Sequence, residues 1–364
     1  MRDAWVSGAG AFMAGGMRRL NRSRGVVLRL GPEVNPLDET GRPVDGTLMP
    51  LRFVFVMDPL SSINIEGDST FVLMLEAQKR GHEVLSAQPP ALRLEAGTPW
   101  CDVVPTAVVR TKGAHYTLGA STSVCLNDVD AVFMRKDPPI DLNYLTATYL
   151  LDRVDRSRVV MINDPQGLRD FNEKLAALYW PEFMPPTMIA SSPASLRRFL
   201  NTHGTIVVKP LYGSGGAGIV KLTTEDDNFG SVVDLLTQEG RVAIEAQAYL
   251  PSVKEGDKRV VLLDGEPIGA VNRRPSKGDI RANMHVGGAA EPSPVTDRDR
   301  EICAALKPEL VRRGLVFAGI DIIGGYLTEV NVTSPTGLQE IGRFEARSLE
   351  SEIIDWVERR RSAL

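Results

Sequence analysis

The sequence predicts an α/β protein in which a doubly wound first domain precedes two further β-rich sectors, and three observations carry that expectation. Short apolar β-rich runs alternate with helical stretches from Leu51 to Ile162. A glycine-rich segment, Val207–Gly218, then sits between two more β-rich runs. Near the end, Gly319–Thr336 places Asp321, Glu329 and Asn331 inside strands that are otherwise apolar.

At 364 residues, 43% hydrophobic and 24% charged, the chain can bury a real core and divide into two or three domains. A net charge of −4 is small for this length, so nothing in the overall balance points to nucleic acid or an anionic membrane as a partner. No apolar run reaches the length of a membrane-spanning helix. Cys101, Cys125 and Cys303 are widely spaced and lack any Cys or His ligand pattern, which suits small buried side chains in a reducing cytoplasm and argues against a cysteine nucleophile. Residues 1–48 differ in texture. Six arginines lie among Gly, Ala and Ser, followed by a Pro/Gly-rich stretch without periodicity, so a disordered N-terminal extension, or an overextended start with Met49 as the true first residue, is expected.

The elements follow in order. Arg52–Met57 reads as a strand ending at Asp58-Pro59, and Asp68–Arg80 as a helix capped by Asp68 or Ser69 and stopped by Gly81. His82–Ser86 is the next strand, 89–127 a hairpin or insertion, Val129–Met134 a strand, Asp141–Arg153 a helix and Arg158–Ile162 a strand. This order suits a doubly wound domain over 49–170, with ligand groups at the carboxyl ends of its strands. Asp164-Pro165 then caps a helix expected to run Gly167–Tyr179 and to carry Lys174. A central domain over 171–250 holds helices at Pro193–Asn201 and Ser231–Gln238 around the glycine-rich segment. The C-terminal domain, 251–364, contains a β-rich stretch to Pro267, a polar Gly/Arg stretch, a helix over 297–313, and a terminal hairpin followed by a helix.

Gly213, Gly215 and Gly218 formally satisfy GxGxxG, but a dinucleotide site needs a helix directly after the glycines, and Gly218–Leu222 is apolar and β-branched. The segment is therefore read as a flap between antiparallel strands whose backbone N–H groups face phosphate. Lys209, on the strand before it, can reach phosphate oxygens, and GxxxxGK[ST] does not occur. The acidic hairpin gives a second signal, because burying carboxylates costs several kcal/mol each unless a cation or hydrogen bonds compensate. Glu329 and Asn331 share a strand face. A three-residue loop, Gly324-Gly325-Tyr326, would bring Asp321 opposite Glu329, and is expected for that reason. Hard oxygen ligands without His or Cys suit Mg²⁺ or Mn²⁺, with water and a nucleotide triphosphate completing the shell.

These blocks occur in a recognisable sequence: NDPQGLRDFNEK, VVKPLYGSGGAG, YLPSVKEGDKRVVLLDGEP and GIDIIGGYLTEVNVTSPT, with VMDPLSSINIEGDSTFVLMLEAQKRGHE and FMRKDPPID upstream. From about Met49 onward the chain resembles bacterial-type glutathione synthetases of the ATP-grasp superfamily. The resemblance implies an ATP-grasp fold behind an N-terminal Rossmann-like domain. It implies that Lys174, Lys209 and the loop Gly213, Ser214, Gly215, Gly216 hold the phosphates of ATP, while Gln247, Tyr249 and Leu250 line the adenine site and Asp257 approaches the ribose. By the same resemblance, Asp321, Glu329 and Asn331 bind Mg²⁺ or Mn²⁺, Arg259, Arg273 and Arg281 lie near the reacting groups, and Ile63, Asn64, Arg135, Ser334, Pro335 and Thr336 face the peptide substrate. The sequence departs from the family pattern at Glu245, Ala248, Ala289 and Gly337-Leu338-Gln339.

The activity implied is ATP-dependent joining of γ-L-glutamyl-L-cysteine to glycine through an acyl phosphate, the second step of glutathione biosynthesis. The stretch Arg273–Gly288, polar and poor in apolar anchors, suits a lid over that intermediate. Two other readings stand beside it: a carboxylate–amine ligase for another dipeptide or amino-acid pair, and a nucleotide-binding regulator without chemistry. A cytoplasmic homo-oligomer acting on small molecules is expected.

Overall fold

The computed structural model describes residues 49–213, 215–276, 281–282 and 288–364. The expected extension over 1–48, the loop residue Ser214 and much of the expected lid lie outside the described residues.

The first sheet is built from β1 (Arg52–Met57), β2 (Glu83–Ala87), β3 (Leu92–Glu95), β4 (Thr98–Val108), β5 (Tyr116–Leu118), β6 (Thr122–Cys125), β7 (Ala131–Arg135) and β8 (Val160–Ile162). Its main path runs β3-β4-β2-β1-β7-β8, and β1 lies parallel to both β2 and β7, so the winding reverses at β1. Helix α1 (Ser69–Lys79) starts where the Asp68 carboxylate accepts from the Phe71 N–H at 2.6 Å, and α2 (Leu142–Leu151) starts in the same way from Asp141. The insertion between β2 and β7 is the antiparallel set β3–β6, which extends the sheet by pairing β4 with β2.

Helix α3 (Pro165–Asp170) begins at the Asp164 cap as expected but ends well before Tyr179. The Asn172 side chain accepts from the N–H groups of Lys174 and Leu175 at 3.1 and 3.0 Å, which competes with the helix ladder and restarts the chain as a short 3-10 turn over Ala176–Tyr179. The break has a use. It turns Glu173 toward Val332 and Thr333, whose N–H groups donate to Glu173 Oε1 at 2.9 and 3.0 Å.

The middle sheet contains β9 (Thr187–Ala190), β10 (Thr205–Pro210), β11 (Val220–Thr223) and β12 (Ile244–Ala248) in the order β11-β10-β12-β9, all antiparallel, with α4 (Pro193–His203) and α5 (Phe229–Thr237) packed on it. The last sheet is β15-β14-β13-β16-β17, formed by β13 (Asp257–Leu263), β14 (Glu266–Arg274), β15 (Ala289–Pro292), β16 (Phe317–Ile323) and β17 (Tyr326–Asn331). Helix α6 (Asp297–Arg312) opens with a capping box between Thr296 and Asp299. Two helices, α7 (Leu338–Glu345) and α8 (Leu349–Ser362), close the chain where one was expected.

Side-chain alternation along the strands divides the core. Val54 and Val56 of β1 join Val260 and Leu262 of β13 in one apolar cluster, while Phe53 and Phe55 join Val261 and Leu263 in another. Both clusters therefore run through the first and last sheets together. The middle sheet has a third cluster to itself, Leu196, Phe199, Ile206, Val208 and their neighbours up to Ala246. Asn163 adds a polar tie: its amide donates to the carbonyls of Phe317 and Val332 at 2.7 Å each, and its oxygen accepts from the Phe317 N–H at 2.8 Å.

Candidate active site

The last sheet supplies the acidic groups. Gly324 and Gly325 form a two-residue turn with φ of +57° and +83°, the left-handed region that glycine enters without strain. Ile323 pairs with Tyr326 and Ile322 with Leu327, yet Asp321 pairs with Glu329, so Thr328 is an extra residue bulged out of β17. The pairing of Asp321 with Glu329 is as the sequence suggested, but the expected three-residue loop is not what produces it. A tight turn followed by a bulge does, and the bulged Thr328 hydroxyl donates to the Asp321 carbonyl at 3.1 Å. Asn331, opposite Gly319, completes the trio.

The middle sheet supplies the cations and the loop. Lys209 on β10 faces Glu245 on β12, and its ammonium lies 3.1 Å from Glu245 Oε2 while donating to Gln247 Oε1 at 3.0 Å. The Gln247 amide in turn donates to Thr187 Oγ1. Gly215, Gly216 and Gly218 adopt φ of +67°, +81° and +73°, so the loop between β10 and β11 follows a path that side chains would oppose. No helix follows it. The strand β11 does, as the flap reading requires.

One cavity collects these groups. Lys174, Lys209, Gly213, Gly215, Gly216, Gln247, Tyr249, Leu250, Asp257, Arg259, Arg273, Arg281, Asp321, Glu329 and Asn331 all line it, so every described residue expected at the nucleotide, metal and reacting centres faces the same space. Its apolar walls include Val207 of β10, Ile323 of β16, Ile219 from the loop before β11 and Val253 from the 3-10 turn Pro251–Glu255, and none carried an individual signal in the sequence.

The charges inside are arranged as a network. Lys174 donates to Glu329 Oε1 at 2.8 Å and to the Gly213 carbonyl at 3.0 Å, tying the acidic hairpin to the loop. Arg259 holds Asp321 with two bonds of 2.6 and 3.0 Å, and Arg273 lies 2.9 Å from Asp321 and 2.7 Å from Asp257. Burial raises the Asp321 carboxyl, but the guanidinium groups of Arg259 and Arg273 outweigh it and hold that carboxyl well below its ordinary range. Asp257 moves the other way: burial raises it, Arg273 opposes, and the negative charge of Asp321 adds to the rise. Gly319 permits the Arg259 contact, because a Cβ there would lie 2.9 Å from Arg259 Cδ.

A divalent metal fits the donor set. Two carboxylates and an amide oxygen on adjacent strand positions face the cavity, and Asn331 commits its N–H to Asp321 at 3.1 Å while its carbonyl oxygen remains the donor atom for a cation. Among the described residues no group of three or more His, Cys, Asp or Glu side chains stands at metal-holding spacing, so the set depends on Asn331 and on oxygens from outside the chain.

The six residues expected at the peptide do not line this cavity. They gather at a neighbouring junction between the segment 63–70, the end of β7 and the turn 333–337. Arg135 donates to the Pro335 carbonyl at 2.9 Å and to Thr70 Oγ1 at 3.0 Å, and Asn64 closes its own loop by accepting from the N–H groups of Glu66, Gly67 and Asp68. The Thr336 carbonyl accepts from Arg259 Nη1 at 3.4 Å, which links this junction to the cavity. Glu173, Asn163 and Gly319 were missed in the sequence: each acts through hydrogen bonds or close approach to distant backbone, which spacing does not display.

Two sheets closing on a cavity of lysines, a glycine flap and an acidic hairpin, behind a doubly wound first domain, define an ATP-grasp enzyme. The fold is similar to that of solved D-cycloserine synthetase DcsG, with a TM-score of 0.60 and 15% identity over 85% of this chain and 99% of that one. It is likewise similar to the ATP-grasp ligase PsnB complexed with minimal precursor, at a TM-score of 0.56 and 17% identity over 86% and 100%. Residues 51–169 match the prokaryotic glutathione synthetase N-terminal domain, and residues 173–346 match the prokaryotic glutathione synthetase ATP-grasp domain. Curated glutathione synthetases from Brucella melitensis biotype 1 and Synechocystis sp. are each 45% identical to this chain, over 313 and 321 residues, covering 86% and 85% of it and 100% and 99% of themselves. The chain belongs to the prokaryotic glutathione synthetase family.

Proposed function

We propose that this chain joins γ-L-glutamyl-L-cysteine to glycine at the expense of ATP, forming glutathione, ADP and phosphate. The observation that carries the reading is the convergence of Lys174, Lys209, the glycine loop and the Asp321–Glu329 pair on one cavity whose edge meets the Arg135 junction.

Lys174 and Lys209 place positive charge where the β- and γ-phosphates would lie, and the backbone N–H groups of the loop would cover them. Asp321, Glu329 and Asn331 would hold Mg²⁺ or Mn²⁺, which supplies neutralisation of the polyphosphate. A cysteinyl carboxylate oxygen attacks the γ-phosphorus, the bond to the β-phosphate oxygen breaks, and ADP leaves. The neutral glycine amine then adds to the acyl carbon, the nitrogen gives up one proton to solvent, and phosphate departs with its oxygen as the C–O bond breaks. Arg259 and Arg273 stand beside the metal ligands, in position to stabilise the oxyanion of that tetrahedral intermediate. Positioning and charge neutralisation account for the residue set, which contains no nucleophile.

Among the described residues no helix is long and apolar enough to cross a membrane. The reading places the reaction in the cytoplasm, with small molecules as partners and a homo-oligomer as the assembly. A coupled ADP-release assay with γ-glutamylcysteine, run with and without glycine and against other donor and acceptor pairs, tests it. Sustained glycine-dependent turnover is expected, and turnover only with a different pair would overturn it.

A further inference from the structure

Residues 337–339 carry no assigned role, and Gln339 is the one with the largest set of long-range bonds. It sits in the first turn of α7 and is only 5% exposed. Its amide nitrogen donates to the carbonyls of Ile65 and Asp68 at 3.0 and 2.7 Å, and its oxygen accepts from Arg110 Nη1 at 2.9 Å. One side chain thereby uses both amide hydrogens and its oxygen to join three segments: the loop 63–68, the connection between β4 and β5, and α7. One turn further along the helix, Arg343 donates to the Glu66 carbonyl at 2.9 Å, so two side chains on one face of α7 grip the same loop.

The other end of that clamp is Arg135. It is almost fully buried, donates to the Pro335 carbonyl two residues before α7's cap, and forms no ion pair among the described residues. Its hydrogen-bond acceptors are neutral, and the carboxylates of Asp68 and Asp137 act on its charge from beyond ion-pair distance, so its guanidinium keeps room for a further anionic partner. The carbonyls held by Gln339 flank Glu66 and Gly67, directly after Asn64, whose own carbonyl and side chain shape the same loop. The separation between the Asn64 loop and the turn 333–337 is fixed at one side by Arg135 and at the other by Gln339.

We propose that Gln339 is a positioning residue for the carboxylate-bearing dipeptide, holding the Asn64 loop against the turn 333–337 so that Arg135 and Asn64 present to substrate at a fixed spacing. The inference rests on the reading of Ile63, Asn64 and Arg135 as the peptide site. Gln339 touches no reacting atom, and its effect is carried by the loop, in the way that small misplacements distant from the chemistry lower activity.

The test is steady-state kinetics of the full chain with γ-glutamylcysteine, glycine and ATP varied in turn. Gln339→Leu, which keeps the bulk and removes all three bonds, should raise KM for γ-glutamylcysteine about tenfold, with kcat and KM for ATP within about twofold of the parent. Gln339→Glu keeps an acceptor for Arg110 and loses both donors to the loop, so it should show the same KM shift, and it carries the test if the leucine variant does not fold. An unchanged KM for the dipeptide in the folded variant, or a rise in KM for ATP of equal size, overturns the proposal. Asn64→Ala separates the two readings: if it raises the dipeptide KM while neither Gln339 variant does, the inference about Gln339 fails and the peptide site stands. If Asn64→Ala leaves that KM unchanged, the peptide-site reading fails, and the proposal for Gln339 fails with it.

Discussion

The cavity between the middle and last sheets and the junction around Arg135 lie side by side but are built from different materials. In the cavity, charge answers charge: Lys174 with Glu329, Arg259 and Arg273 with Asp321, Arg273 with Asp257. At the junction, backbone carbonyls take most of the hydrogen bonds, from Gln339, Arg343 and Arg135, and the buried Arg135 makes no direct ion pair among the described residues, with Asp68 and Asp137 acting on it from farther away. Under the proposed function the difference matches what each would receive: a polyphosphate with its metal meets groups that already balance one another, and a dipeptide meets one prepared cation and a fixed outline.

That contrast can be broken by substitutions that affect one region and spare the other. The largest effect is expected from Glu329→Gln, which removes a metal donor and the partner of Lys174: glycine-dependent ADP release should fall by at least about 100-fold with the melting temperature nearly unchanged, and near-normal turnover would remove the metal assignment. Lys209→Ala should weaken nucleotide binding by about tenfold or more in a calorimetric titration, while KM for the dipeptide stays put. Arg135→Met should do the reverse, raising KM for the dipeptide about tenfold at constant nucleotide affinity, and a joint rise would mean that cavity and junction are one site.

A smaller effect is expected from Gly319→Ala, whose Cβ would press on Arg259 at 2.9 Å. Denaturant unfolding should show a loss of about 1–3 kcal/mol, and turnover should drop as Arg259 is pushed from Asp321. The smallest lies outside both regions. Hydrogen bonds from Arg312 on α6 and from Arg313 hold the Glu309 carboxyl down at about 2, so the group adds stability above the ordinary carboxylate range that is lost as pH falls from about 4.5 toward 2. Glu309→Gln should therefore lower the melting temperature slightly at neutral pH and by progressively less as pH falls from about 4.5 toward 2, with kinetics at neutral pH unchanged.

The same contrast explains what could be read from the sequence. Asp321 and Glu329 stood out because carboxylates in apolar strands are chemically out of place, Lys209 because it lies on the strand just before the glycine-rich loop, and the structure puts all three on one cavity. The doubly wound start was legible from alternating runs and from caps such as Asp68 and Asp141. The helix expected over 167–179 failed because Asn172, an ordinary residue by composition, turns its side chain onto the backbone. The hairpin register was right for a different reason, since a bulge at Thr328 and a one-residue-longer loop shift the strand equally. Gln339 and Asn163 bond to backbone more than a hundred residues away, and neither periodicity nor composition records such partners.

The division of the apolar core has a mechanical meaning. Two clusters fuse the first and last sheets, and Asn163, just after β8, bonds to Phe317 of β16 and to Val332 just after β17, so the Arg135 junction and the acidic hairpin belong to one frame. The middle sheet keeps its own small core and reaches the frame through a few polar bonds, among them Lys174 to Gly213 and Asn172 to Leu211. If the proposed function holds, this construction predicts that the middle sheet, with its separate core, shifts against the frame when nucleotide binds. Amide exchange in β10–β12 would then respond to nucleotide far more than exchange in β1, β7 or β16.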